Sequence, residues 1–98
     1  MQEKRIQRAR ISVAHCSLGT AVRQLRVVRH ISQETLGTRA GLHRNYVGAI
    51  ERGEINPTFL TLLRLASGIE IPLSGLIVLT EEQEANHKAS GLVGEAHD

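Results

Sequence analysis

The chain has 98 residues, 41% hydrophobic and 22% charged, which is the size and balance of one small globular domain and too little for two. One Tyr, one Phe and no Trp exclude a base-stacking platform for single-stranded nucleic acid, and a single cysteine, Cys16, excludes an internal disulfide. The net charge of +2 hides an asymmetry: up to Gly53 ten Lys/Arg stand against three Asp/Glu, and beyond it two stand against seven, so the first half suits a polyanionic partner.

Residues 1–16 are basic and polar, carrying Lys4, Arg5, Arg8 and Arg10, and without a clear amphipathic face read as a frayed N-terminal arm or a short, weakly held helix. Residues 17–29 read as the first helix, with Ser17 as N-cap and Leu18, Val22 and Leu25 at helical spacing. A second helix is expected from Ser32, which can cap it, to Ala40. Glu34 suits its positive end, and Gly41 supplies a left-handed stop.

Leu42 plugs the corner that follows. Residues 43–52 form the third helix, with Tyr46, Val47 and Ile50 inward and Gly53 as its stop. Thr58 caps a strongly apolar fourth helix that Gly68 ends. Pro72 fits the first position of a fifth helix reaching about Leu79. Residues 80–98 are acidic and poor in apolar groups, and are expected to form a flexible tail in which 81–88 can be helical. The organisation is therefore an arm over 1–16, a domain over 17–79 and a tail over 80–98.

A short helix, a glycine, and a second short helix starting within a few residues form the helix-turn-helix arrangement, whose crossing needs small residues such as Gly37, Ala40 and Gly41. The ordered pieces Ser32-Gln33-Glu34-Thr35-Leu36, Ala40-Gly41-Leu42, Tyr46-Val47, Ile50-Glu51-Arg52-Gly53, Asn56-Pro57-Thr58-Phe59 and Thr61-Leu62-Leu63 resemble the Cro/CI-type helix-turn-helix family. That family includes phage repressors and restriction–modification controller proteins. The resemblance spans about residues 18–79. It implies an all-α, compact five-helix, lambda-repressor-like domain that reads double-stranded DNA with its third helix and dimerises. Gly37, His43, Gly48 and Ser67-Gly68 depart from the family's usual residues and suggest a less rigid domain.

Arg44 and Asn45 occupy the leading turn of the third helix. Arg matches guanine O6 and N7, and Asn matches adenine N6 and N7, so both are expected base readers, with Gly48 and Ala49 continuing the outer face. Gln33, Arg39, Tyr46, Arg52 and Asn56 are phosphate candidates, Gln33 by the resemblance. The resemblance also makes Arg26 and Glu51 a structural ion pair between the first and third helices. Leu60, Leu73, Ile77 and Leu79 exceed what one small core needs and are expected at a dimer interface, where two recognition helices read a palindrome.

The five histidines, at 15, 30, 43, 87 and 97, have no metal-site spacing, and no phosphate-binding glycine loop or nucleophile–base set appears. No cofactor and no enzyme activity are expected. Neither a membrane-spanning run nor a secretory leader is expected, which makes the cytoplasm the default location. The functional expectation is a sequence-specific transcription regulator acting as a homodimer. The alternative is an antitoxin or co-regulator that uses the same fold to hold a protein partner.

Overall fold

The computed structural model describes residues 10–89. Five helices follow one another: α1 (Val13–Val28), α2 (Gln33–Ala40), α3 (Arg44–Glu51), α4 (Phe59–Ile69) and α5 (Leu73–Ala89). No strand occurs among the described residues. The all-α, five-helix expectation holds.

Local chemistry sets most of the boundaries. Ser32 Oγ accepts the Thr35 N–H at 3.0 Å and Thr58 Oγ1 accepts the Thr61 N–H at 3.1 Å, each satisfying an amide that the first turn leaves free. Gly41 ends α2 at φ 72°, where a β-carbon would be strained, and the Leu42 N–H returns to the Gly37 carbonyl at 2.7 Å.

Three boundaries differ from the sequence reading. α1 starts at Val13, because Ser12 rather than Ser17 is its cap: Ser12 is extended and its Oγ accepts the His15 N–H at 3.2 Å. Part of the expected arm is therefore helix, and residues 1–9 of that arm lie outside the described residues. Ser17 is instead fully buried within α1. Second, Gly68 does not end α4. It lies inside the helix, where a β-carbon would stand 2.9 Å from Leu36 Cδ1, and Glu70 makes the left-handed turn at φ 70°.

Third, Pro72 stands before α5 rather than in its first turn, and its carbonyl accepts the Gly75 and Leu76 N–H groups at 2.9 and 3.4 Å. The helix then runs on unbroken through the acidic stretch to Ala89, taking in the 81–88 segment that was expected only as a helical stretch within a flexible tail. Residues 90–98 of that tail lie outside the described residues. Polar contacts with α1 hold the extension: Ser17 Oγ and His87 Nδ1 share a hydrogen bond of 3.0 Å, and Gln83 Nε2 donates to Gln24 Oε1 at 3.0 Å.

The core is aliphatic. Val22 of α1, Leu36 of α2, Val47 and Ile50 of α3, Leu65 and Ile69 of α4 and Leu76 of α5 are fully enclosed. α1 lies along α5 and also crosses α3, while α2 packs on both α3 and α4. The crossing of α1 and α3 is unusually close. A β-carbon on Gly19 would overlap the Ile50 and Glu51 carbonyl oxygens, which belong to backbone and cannot swing aside.

Gly19→Ala is therefore expected to lower the unfolding free energy by about 1–3 kcal/mol, toward the upper end of what overpacking costs. Urea unfolding of the two proteins measures this, and equal midpoints would contradict the close crossing.

Candidate nucleic-acid interface

The start of α3 is built to present side chains outward. His43 takes the cap position with extended backbone, and its Nδ1 accepts the Asn45 N–H at 3.0 Å, filling the role that a Ser or Thr hydroxyl plays elsewhere. Val47 and Ile50 draw the opposite stripe of the helix into the core, so Arg44 and Asn45 face solvent. The Arg44 side chain is 63% exposed, and its guanidinium stands 3.8 Å from the Glu34 carboxylate on the first turn of α2. An exposed pair at that distance holds the arginine weakly, leaving it available to a stronger anionic or guanine partner.

Behind this face lies a buried polar network. Arg26 Nε donates to Glu51 Oε2 at 2.7 Å and its Nη2 to Oε1 at 3.1 Å, while Nη1 donates to the Ile31 carbonyl at 3.0 Å. Gln33 Nε2 donates to the same Glu51 Oε1 at 2.9 Å. The two charged side chains are only 13% and 4% exposed. The pairing that the resemblance implied is present, and it also fixes Gln33, the first residue of α2. One amide N–H of Gln33 is committed to Glu51, which leaves the second for an outside acceptor.

The other candidates divide. Gly48 is buried and does not continue the outer face. A β-carbon there would meet Arg52 Nη1 at 3.1 Å and Gln33 Oε1 at 3.4 Å, so the glycine makes room for those two side chains to lie over α3. Ala49 is half-buried. Arg52 is 59% exposed and pairs with Glu54 at 3.1 Å. Arg39 turns away from this region, and its Nη1 donates to the Gly68 carbonyl of α4 at 3.5 Å, drawn by the helix end. Tyr46 packs its ring against the core. Asn56 lines a shallow cleft with Ala14, His15 and Ile77, between the start of α1 and α5.

Among the interface candidates, Leu60 and Ile77 are exposed, whereas Leu73 and Leu79 pack partly against the protein's own core. Sequence reasoning passed over Phe59, Leu63 and Val78, which are exposed on the same two helices. It also passed over Arg10 and Arg23, which lie beside Gln33 and Arg52 in a cleft against α1. The Ile11 N–H, which donates to the Gly53 carbonyl at 2.9 Å, places Arg10 there, a contact that no local pattern signals. No group of three His, Cys, Asp or Glu among the described residues could hold a metal ion. Nor is any single helix among them long and apolar enough to cross a membrane.

Comparison with known proteins agrees with this geometry. A family model described as helix-turn-helix matches residues 22–76. Control protein C.SmaI of Serratia marcescens is 40% identical over 60 residues, covering 61% of this chain and 71% of that protein. Among solved structures, the restriction-modification controller protein C.AhdI from Aeromonas hydrophila is 37% identical with a TM-score of 0.65, covering 66% of this chain and 98% of that one. The restriction-modification controller protein C.Esp1396I, solved as a tetramer in complex with its natural 35 base-pair operator, shares the fold at 21% identity and a TM-score of 0.71, over 76% of this chain and 99% of its own.

Removing one partner of the buried pair strands the other. Arg26→Met is expected to cost about 3–5 kcal/mol of stability, and adding Glu51→Leu to recover a large part of that loss. Denaturant unfolding of the two variants checks it; a double variant no more stable than Arg26→Met would contradict the account.

Proposed function

Because this chain belongs to the helix-turn-helix family, we propose that it is a DNA-binding transcription regulator that acts as a homodimer on a palindromic operator. The observation that carries the reading is the outward projection of Arg44 and Asn45 from the first turn of α3, beside the start of α2 and above a rigid polar network. Arg44 is assigned to guanine and Asn45 to adenine in the major groove, with Ala49 approaching base edges or thymine methyl groups. Gln33 and the N–H groups at the start of α2 take a phosphate, and Arg52 and the Tyr46 hydroxyl reach others along the backbone. Arg39 and Asn56, turned toward α4 and α5, have no part in this assignment.

One such helix contacts too few base pairs to define a site, and two half-sites about one helical turn apart supply the rest. The exposed apolar groups of α4 and α5, Phe59, Leu60, Leu63, Ile77 and Val78, support self-association through that end of the domain. Association with DNA as an oligomer is also what C.Esp1396I displays. No enzymatic step is assigned. A protein-holding role for the same apolar end is the alternative, and it gains support only if the purified chain selects no duplex and binds a specific protein instead.

Binding-site selection from random duplexes is expected to return an inverted repeat, and affinity for it to fall about 10³-fold or more between 50 and 200 mM salt, as contact with six or more phosphates requires. Arg44→Ala is expected to flatten preference at one position in each half-site, at a cost of about 1–3 kcal/mol. A flat salt response, or an unchanged selection profile for that variant, would count against the proposal.

A further inference from the structure

We propose that the cleft between α1 and α3 seats a further DNA phosphodiester, so that α1 grips the duplex backbone alongside the start of α2. The cleft offers about 470 Å³ and is lined by Arg10, Arg23, Arg26 and Arg52, with Thr20 among them. Glu51 is the one carboxylate in the lining, and it is already engaged by Arg26 and by Gln33. With Arg26 matched by Glu51 and Arg52 by Glu54, Arg10 and Arg23 remain as the positive excess of the lining, which favours an anion.

Its position is set by the fold. Arg23 precedes Arg26 by about one turn of α1, so the two side chains leave the helix on neighbouring faces. Arg10 is held beside the end of α3 by the Ile11 hydrogen bond to Gly53. Arg26 and Arg52 have carboxylate partners, Glu51 and Glu54. Arg10 and Arg23 are exposed at the cleft's edge. Planar guanidinium groups at such an edge match the two free oxygens of a phosphodiester.

A phosphodiester of DNA fits better than a free anion because the cleft is lined by Gln33, at the start of α2, and by Arg52, about two turns along α3 from Arg44 on the face that carries Arg44 and Asn45. A duplex lying on that face brings its backbone across the cleft. The inference rests on the proposed DNA-binding role and extends it to α1, a helix to which sequence reasoning gave no DNA contact.

The test uses the full chain carrying Arg10→Gln and Arg23→Gln, titrated against the selected duplex from 50 to 200 mM salt. The slope of log affinity against log salt is expected to fall by about 0.9 for each lost contact in each half-site, with the selected sequence unchanged. Both residues are exposed, and an unfolding midpoint equal to the wild type's confirms that the fold is intact. The Arg10→Lys, Arg23→Lys variant is expected to restore most of the slope, because it keeps the charge.

Duplexes with single methylphosphonate substitutions locate the seat. Wild-type affinity is expected to drop about tenfold at one backbone position in each half-site, and that drop to vanish in the glutamine variant. A glutamine variant with the wild-type slope overturns the inference while leaving the DNA-binding role standing. So does stoichiometric binding of inorganic pyrophosphate that the glutamine variant loses with its DNA affinity unchanged, which would mark a free-anion site. A wild-type chain that selects no duplex overturns the DNA-binding role itself and the inference with it.

Discussion

Three separate parts of the chain converge on the carboxylate of Glu51. Arg26 reaches it from α1 and Gln33 from α2, while the carboxylate itself closes α3; the same arginine also takes the Ile31 carbonyl in the turn between the first two helices. With the carboxylate almost wholly out of water, each of these donors has to be in place before the group is tolerable. Such a pair gives little net stability over an apolar substitute. Its effect is geometric: the start of α2 cannot shift along α3 without breaking the Gln33 hydrogen bond to a buried carboxylate.

Close packing around the network turns this constraint into a surface. Gly19 lets the backbone of α1 rest on the last carbonyls of α3, and Gly48 lets Gln33 and Arg52 lie across the helix that carries Arg44 and Asn45. The side chains that need to be movable, Arg44 and Asn45, stand on a turn capped by His43 and backed by Val47 and Ile50. A rigid base beneath mobile tips is what recognition by oriented hydrogen bonds requires. The opposite chemistry, exposed aliphatic groups on α4 and α5, is kept on other elements, so the proposed DNA contact and the proposed self-association do not compete for one surface.

What the sequence made legible is what local chemistry decides. Ser32, Gly41 and Thr58 act within three or four residues of themselves, and each does what its type suggests. Gly68 misled because a glycine can end a helix or let two helices touch, and here Leu36, far away in sequence, decides between the two. The cap at Ser12 was hidden because half-buried residues, without a clean apolar stripe, follow it. The length of α5 was hidden for a similar reason. Its apolar spacing stops near Leu79, and its remainder is held by hydrogen bonds to Ser17 and Gln24. Arg26 and Glu51 became a pair only through resemblance to other chains, since nothing local joins residues 25 positions apart. Gly37, read both as a small residue for the crossing and as a departure that loosens the domain, serves the crossing: a β-carbon there would stand 2.5 Å from the Leu42 carbonyl.

The contact between Ser17 and His87 spans 70 positions of chain. The helix-turn-helix, by contrast, is assembled from neighbours. During synthesis, then, the helix-turn-helix can form while the side of α1 that faces α5 still lacks its cover, because α5 follows the other four helices in the chain. Closure of α5 over α1 is thus the step that joins the two ends of the five-helix unit.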